Sequence, residues 1–162
     1  MMYKLLDDID TQAILDYYMS IEKEIVWFDF GPKGRQSGLQ YADKEDPYLS
    51  ATGRARFSDK RFSNLNPFYS NSIIEKIIKK YSLYRTRWMW VNPSSCYSIH
   101  NDYSPRIHLP IITNPQCLFV FPPDQIFHLE INKVYFVDTT KKHTFINCSE
   151  QARLHLVGAV YS

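Results

Sequence analysis

The sequence has little net charge, no long apolar run and few cysteines, and each of these features argues against a particular class of protein. A net charge of +2 over 162 residues is too small to favour nucleic acid or an anionic membrane as a partner. No apolar stretch approaches the roughly 20 residues of a membrane-spanning helix, so no membrane association is expected. The start of the chain, Met-Met-Tyr-Lys-Leu-Leu-Asp-Asp, lacks a hydrophobic signal core, which favours a cytoplasmic location.

The three cysteines cannot all pair within the chain, and the spacing of Cys96, Cys117 and Cys148 matches no zinc site. We therefore expect reduced thiols packed as small apolar groups.

Aromatic residues make up 15% of the chain and include twelve tyrosines, which favours strands and ring-lined pockets over a helical bundle. Alternating segments broken by proline-containing turns predict eight short strands, at 84–92, 96–102, 106–113, 117–121, 126–130, 133–138, 143–148 and 153–161. Strands of this number and length are typical of a jelly roll. In the first of them, Trp88 and Trp90 share one face, and core packing is the more natural role for their rings.

The first 83 residues are predicted to support this jelly-roll core, so that residues 1–162 form a single domain. Apolar periodicity predicts helices over about 11–23 and 71–81, both packed on the sheet. Between residues 31 and 67 the pattern is irregular, with basic and aromatic side chains. Such a long loop is either functional or a solvated connection, and we favour a lid or substrate-binding segment.

The pattern most specific to a function is His100-Asn-Asp102, followed far downstream by His143. In an extended strand, residues i and i+2 point to the same face, so His100 and Asp102 could hold one ion together. A neighbouring strand of a small barrel could bring His143 to the same point. Two imidazoles and one carboxylate are the ligands that hold non-haem Fe(II) on one face and leave other positions open. We therefore predict an iron site with these three ligands.

Arg153 follows His143 by ten residues, which leaves room for one strand, a turn and entry into the next strand. An antiparallel partner strand could therefore place this guanidinium beside the metal. A guanidinium remains charged and forks onto a carboxylate with two parallel hydrogen bonds. The distal carboxylate of 2-oxoglutarate would need such a partner.

These blocks together resemble the 2-oxoglutarate/Fe(II)-dependent oxygenases, in particular the aspartyl/asparaginyl β-hydroxylase-like group, over roughly residues 84–161. The matching motifs are Tyr97-x-x-His100-x-Asp102, Arg106-x-His108, His143-Thr-x-x-Asn147 and Arg153. The resemblance implies a double-stranded β-helix (a cupin-like jelly roll) that uses Fe(II), 2-oxoglutarate and dioxygen. The implied reaction is hydroxylation coupled to decarboxylation of 2-oxoglutarate to succinate. The implied roles are metal binding for His100 and His143, distal-carboxylate binding for Arg153, and co-substrate contact for Arg106 and His108.

Two positions differ from the animal aspartyl hydroxylases of this group. Those enzymes have glycine where Asp102 stands, so this chain is more similar to the three-ligand version of prolyl hydroxylases and many microbial relatives. They also use a serine to help hold 2-oxoglutarate, and the nearest alignment puts Met89 there. Another hydroxyl could replace that contact.

Several alternatives stay open at this point. The substrate could be an amino-acid side chain in a protein or peptide, or a free amino acid such as proline. His108 could be a buried structural histidine, and Arg106 a solvated strand residue. For His128 and His155 we expect structural or surface roles. The alternative functions are a 2-oxoglutarate-independent cupin-type enzyme and a non-catalytic jelly roll whose aromatic pocket binds a ligand.

Overall fold

The computed structural model describes residues 1–161, which form two α-helices and thirteen β-strands. The helices are α1 (Thr11–Ile21) and α2 (Ile73–Tyr81). The strands are β1 (Tyr3–Asp8), β2 (Phe28–Asp29), β3 (Gly34–Gly38), β4 (Gln40–Tyr41), β5 (Asn64–Leu65), β6 (Tyr84–Val91), β7 (Ser95–Cys96), β8 (Arg106–Ile112), β9 (Cys117–Phe121), β10 (Gln125–Phe127), β11 (Lys133–Val137), β12 (Thr144–Asn147) and β13 (Arg153–Ala159).

Most of these strands belong to two antiparallel sheets. Seven strands form the larger sheet in the order β1-β11-β8-β13-β6-β3-β2, and four form the smaller in the order β10-β9-β12-β7. The short strands β4 and β5 pair separately. This mainly β architecture with two helices confirms the predicted jelly-roll fold class.

The outer face of the larger sheet is apolar and packs against both helices. Helix α1 buries Ile14 and Tyr18, and α2 buries a stripe of isoleucines. The core that they form includes strand residues which alternate along the sheet and point outward: Trp88, Ile107, Leu109, Leu154 and Leu156. The helices therefore support the sheet as predicted. Within residues 1–161, no helix is long and apolar enough to cross a membrane.

Trp88 and Trp90 both face the helices. The Trp88 indole donates to the Tyr69 hydroxyl at 3.2 Å, and the Trp90 indole donates to the Tyr18 hydroxyl at 2.9 Å. Their packing role is therefore as expected, and it leaves Met89, between them, on the opposite face of β6.

Strands β1 and β3 are absent from the sequence predictions, and both extend the larger sheet with residues that precede residue 84. Strand β1 lies at an edge and is mostly exposed, so it lacks the alternating pattern of a half-buried strand. Strand β3 reads Gly-Arg-Gln-Ser-Gly, which has low intrinsic strand preference. It is a strand because it pairs with β6 from Gly34 opposite Val91 to Gly38 opposite Arg87.

Gly34 is required for this pairing. Its φ is +146°, and a Cβ there would overlap the backbone carbonyl of Trp90. We expect Gly34→Ala to destabilise the protein by about 2–4 kcal/mol, because backbone strain and the steric overlap add. Gly31→Ala is the matched control, since Gly31 also has a positive φ, +69°, but a methyl group there would have no other atom within 4 Å. Urea unfolding should show the larger loss for Gly34, and equal losses would contradict the steric role of Gly34.

The cysteines are unpaired in the part of the chain that the structure describes. Cys117 is buried, whereas Cys96 and Cys148 are exposed. The expectation of packed thiols is therefore correct for Cys117 alone.

The inner face of the larger sheet is partly apolar and partly charged. One apolar cluster between the sheets includes Val91, Phe119 and Phe145. Beside it, the inward positions of three neighbouring strands carry polar or charged side chains, all of them buried: Arg85, Arg87, Arg106, His108, Arg153 and His155. Charged groups in such a position need partners, and they mark the place where a ligand site is expected.

Candidate active site

His100, Asp102 and His143 converge at the open end of the space between the sheets. One potential ligand atom from each lies within 4.8 Å of the other two. The backbones of His100 and His143 exchange two hydrogen bonds, of 3.0 and 2.8 Å, and the Asp102 amide donates to the Thr139 carbonyl at 2.8 Å. The structure therefore brings together the three side chains that the sequence pattern predicted to lie at one point.

The local backbone differs from the prediction. The strand expected over 96–102 is reduced to β7, and His100 forms only an isolated bridge with His143. Instead of a continuous ladder, separate backbone hydrogen bonds to residues 139–145 hold this segment. The sequence analysis paired His100 with Asp102 by assuming an extended strand. The two side chains do come together, but no continuous strand runs through them.

Both histidines present the same ring nitrogen to the cluster. Nδ1 of His100 lies 2.7 Å from the Ser98 carbonyl, and Nδ1 of His143 lies 2.9 Å from the Lys141 carbonyl. A carbonyl only accepts, so each Nδ1 carries the proton and each Nε2 keeps a lone pair. Carbonyl contacts of this kind fix the tautomer and ring orientation of metal-binding histidines. Burial lowers the pKa of His143, which keeps its imidazole neutral near pH 7.

Arg106 connects this cluster to a carboxylate behind it. Its Nη1 donates to Asp59 at 2.7 Å and to the Ser104 hydroxyl at 2.6 Å. Its Nε lies 3.6 Å from the Asp102 carboxylate. Arg106 is 3% exposed, so the alternative of a solvated strand residue is wrong. It lines the cavity, but its guanidinium is already shared between two carboxylates.

Asp59 is completely buried and has two arginine partners. Besides Arg106, the Nη1 of Arg85 lies 3.3 Å away, and the Ser104 hydroxyl donates at 2.7 Å. Burial alone would raise the pKa of Asp59, but the guanidiniums and the hydroxyl outweigh it and the pKa is lowered. Arg85 also donates to the Ala51 and Gly53 carbonyls. Asp59 therefore ties the loop before β5 to the sheet and to the cluster.

A cavity of about 610 Å³ opens between the two sheets beside the cluster. This volume is within the usual range for small-molecule sites. All six residues predicted for the site line it, namely His100, Asp102, His143, Arg106, His108 and Arg153. Gly53, Arg54 and Ala55 of the long loop also contribute to its wall.

Arg153 lies at the cavity wall, and two of its guanidinium nitrogens have no acceptor in the part of the chain that the structure describes. It is 2% exposed, and the centre of the guanidinium stacks 3.8 Å from the centroid of the Phe145 ring. Its Nε and Nη1 are buried and have no hydrogen-bond partner among residues 1–161. Burial lowers its pKa to about 10, so the group is still charged at neutral pH. Buried donors of this kind require an acceptor, and a bound carboxylate would supply one.

The remaining histidines are held by protein contacts. Nδ1 of His108 lies 3.2 Å from Nδ1 of His155, and His128 contacts the Cys117 carbonyl at 2.9 Å. Burial, followed by the charges of Arg153 and Arg106, lowers the pKa of His108 well below its ordinary value. These contacts fit the structural roles expected for His128 and His155, but the buried Nε2 of His155 has no hydrogen-bond partner among residues 1–161. Neutral His108 also lines the cavity.

The sequence interpretation missed Arg85, Arg87, Asp59 and Gln36. A signal existed for the two arginines, because Arg85-Thr-Arg87-Trp-Met89 alternates and places both on the face of Met89. Nothing in the local pattern marks Asp59 or Gln36, which lie in the irregular first half of the chain.

A family model described as Aspartyl/Asparaginyl beta-hydroxylase matches residues 51–162. The chain is also similar to the L-proline cis-4-hydroxylase of Rhizobium meliloti (strain 1021), with 30% identity over 95 residues. That match covers 55% of this chain and 34% of the relative. The matched stretch thus covers about a third of the length of that relative.

Two solved structures have a similar fold. An oxidoreductase of the 2OG-Fe(II) oxygenase family from Burkholderia pseudomallei gives a TM-score of 0.60 at 12% identity, covering 98% of this chain and 83% of that one. The DMSP lyase DddQ from Ruegeria pomeroyi DSS-3 gives a TM-score of 0.55 at 14% identity, covering 96% and 68%. At these identities the likeness is one of fold.

Proposed function

Because this chain belongs to the aspartyl/asparaginyl β-hydroxylase family, we propose that it is an Fe(II)- and 2-oxoglutarate-dependent dioxygenase that hydroxylates an amino-acid side chain. The substrate would be a protein, a peptide or a free amino acid, and a cytoplasmic location is part of the proposal. The observation that carries it is the His100, Asp102 and His143 cluster in the same cavity as the unpartnered guanidinium of Arg153.

The residues present fit a divalent iron ion. His100 and His143 would each offer Nε2, and Asp102 would offer a carboxylate oxygen. Neutral imidazole with one hard carboxylate suits Fe(II), whereas a thiolate-rich set would suggest another metal. The three side chains come from the His100–Asp102 segment and from the residue before β12.

The residues around the cavity also fit 2-oxoglutarate. Arg153 would fork onto the distal carboxylate, and His108 would lie against the end that binds the metal. The Tyr97 hydroxyl is buried without a well-aligned partner among the residues that the structure describes, and Tyr97 lines the same cavity as Met89. Tyr97 would therefore supply the hydroxyl that Met89 cannot.

When bound, iron and 2-oxoglutarate supply the oxidising power, since dioxygen is reduced as 2-oxoglutarate is decarboxylated to succinate and a C–H bond of the substrate is hydroxylated. The protein positions the reactants and excludes water. Phe119 and Phe121 lie with ring centroids 6.4 and 5.4 Å from that of His143. These rings form an apolar wall beside the cluster, which strengthens the ionic contacts inside.

Anaerobic titration with Fe(II) and 2-oxoglutarate tests the proposal. The wild-type protein is expected to form a ternary complex with a weak visible metal-to-ligand charge-transfer band, and then to produce succinate when dioxygen is admitted. His143→Ala should give no band, because one of three ligands is lost. Circular dichroism checks that both proteins are folded. A folded wild type without the band would instead favour a non-catalytic binding module.

A further inference from the structure

Two neighbouring strands of the larger sheet carry the same four-residue pattern, Arg-x-His-Leu. It occurs as Arg106-Ile-His108-Leu in β8 and as Arg153-Leu-His155-Leu in β13. The strands pair antiparallel, and His155 lies opposite Pro110, two residues along β8 from His108. The two histidines are therefore diagonal neighbours on one face of the sheet. The proposed function gives a role to His108, but it gives none to His155.

The two imidazole rings contact each other inside the protein. Nδ1 of His108 lies 3.2 Å from Nδ1 of His155, and the two residues are 5% and 1% exposed. His108 lines the cavity, whereas His155 is not one of the described residues that line it. His155 therefore lies behind His108, and Nε2 of His108 is the ring nitrogen left for a ligand.

Both rings are neutral. Burial, followed by the charges of Arg153 and Arg106, lowers the pKa of His108 well below its ordinary value. Burial, followed by the charges of Arg153 and His108, lowers the pKa of His155 in the same way. A neutral imidazole carries one proton, on either Nδ1 or Nε2. Because the two Nδ1 atoms lie within hydrogen-bond distance, one of them donates to the other, and the direction of this bond fixes both tautomers.

The surroundings of His155 decide which ring donates. Its Nε2 is buried and has no hydrogen-bond partner within the described chain. If His108 donated, this Nε2 would carry a proton without an acceptor, and orphaned buried N–H groups are rare because they are costly. If His155 donates, its Nε2 is a bare nitrogen that needs no acceptor. His108 then carries its own proton on Nε2, at the cavity.

We propose that His155 is a positioning residue. Its Nδ1 donates to Nδ1 of His108, which makes Nε2 of His108 a hydrogen-bond donor toward an anionic ligand in the cavity. The inference rests on the proposed function, in which that ligand is 2-oxoglutarate. A carboxylate only accepts hydrogen bonds, so the other tautomer of His108 would present a lone pair to it. His108 thus has the opposite tautomer from His100 and His143, which carry the proton on Nδ1.

The first test measures the tautomers in the metal-free protein by ¹⁵N NMR, because protonated and bare imidazole nitrogens have well-separated chemical shifts. In wild type, His108 is expected to be protonated on Nε2 and His155 on Nδ1. The side-chain amide of His155→Asn can still donate to His108 and should preserve its tautomer. His155→Leu removes the donor, so the proton should divide between both nitrogens of His108. A wild-type His108 with its proton on Nδ1 would overturn the proposal, and this result needs no variant to fold.

The second test measures 2-oxoglutarate binding by anaerobic titration of the charge-transfer band. His155→Leu is expected to raise the dissociation constant by about tenfold, the lower end for a hydrogen bond to a charged group. The rate of succinate formation at saturating 2-oxoglutarate should change little, because the proposed role of His155 is in binding. His155→Asn should bind nearly as tightly as wild type, which a purely steric role of the imidazole would not predict.

His128→Leu is the matched control. Nδ1 of His128 is also held by a protein group, the Cys117 carbonyl at 2.9 Å, but His128 is not among the described residues that line the cavity. The variant should leave the His108 tautomer and 2-oxoglutarate binding unchanged. Wild-type affinity in His155→Leu, or an equal loss in His155→Asn, would overturn the proposal. If wild type gives no charge-transfer band, the proposed function fails, and the tautomers of the metal-free protein still decide the donor role of His155.

Discussion

Asp59→Asn is expected to destabilise the protein by about 3–5 kcal/mol, the usual cost of removing one partner from a buried ion pair. Asp59 is fully buried between Arg85 and Arg106. The amide keeps the size of the side chain but removes the charge that both guanidiniums face. For a chain of 162 residues, a loss of this size lowers Tm by roughly 6–20 °C. Urea unfolding and calorimetry would measure both quantities.

Asp43→Asn is the matched control for this change. Asp43 pairs with Arg61 at 2.7 Å, but 65% and 53% of their side-chain surfaces are exposed, so the same substitution should cost less than about 1 kcal/mol. Similar losses for the two variants would show that the buried network does not contribute as described.

Asp59→Asn should also weaken Fe(II) binding, since Arg106 would then be free to pair more closely with Asp102.

The contribution of Asp59 should depend on pH. Its pKa is lower in the folded protein than in the unfolded chain, where aspartate has a pKa of about 3.9. Its stabilisation is therefore fully present above that value and is lost as the pH falls toward the folded-state pKa. The difference in unfolding free energy between wild type and Asp59→Asn should be large at pH 7 and smaller near pH 3. A constant difference would contradict the assignment of this lowered pKa to Asp59.

Two of the predicted strands, β8 and β13, lie inside the larger sheet and bury their side chains on both faces. In β8 and β13, apolar residues such as Leu109 and Leu156 alternate with polar residues such as His108 and His155. Of the polar residues on these two strands, His108, Arg106 and Arg153 line the cavity, whereas Leu109 and Leu156 pack in the core with the helices. Strands β1 and β3 carry no such pattern, because one is an exposed edge and the other depends on the backbone of β6.

The candidate site was predictable to the extent that its residues lie in recognisable motifs. Side-chain chemistry and sequence spacing predicted that four residues lie close together. The structure places all four in one cavity: His100, Asp102, His143 and Arg153. Asp59 gave no such signal, because its partners are 26 and 47 residues away along the chain. Long-range charge pairs of this kind follow from the fold, and local pattern does not reveal them.

Arg153→Gln is expected to raise KM for 2-oxoglutarate by about 100- to 1000-fold, because losing one partner of a buried, hydrogen-bonded charge pair costs several kcal/mol of binding. No group within residues 1–161 accepts a hydrogen bond from the buried Nε and Nη1 of this guanidinium, so the variant loses a ligand contact and no ion pair among those residues. The fold should therefore remain, with an unchanged or higher melting temperature without 2-oxoglutarate. Titration of the charge-transfer band and succinate formation would measure the loss.

Arg35→Gln is the matched control, because Arg35 also stacks on an aromatic ring, with its guanidinium 4.2 Å from the centroid of Trp27, but lies outside the cavity. It should leave KM for 2-oxoglutarate unchanged. Arg153→Lys separates charge from geometry: a lysine keeps the positive charge but cannot make two parallel hydrogen bonds to one carboxylate, so an intermediate KM is expected. Near-normal turnover of 2-oxoglutarate by Arg153→Gln would contradict the co-substrate role, and the unpartnered guanidinium would then need a different anion to explain it.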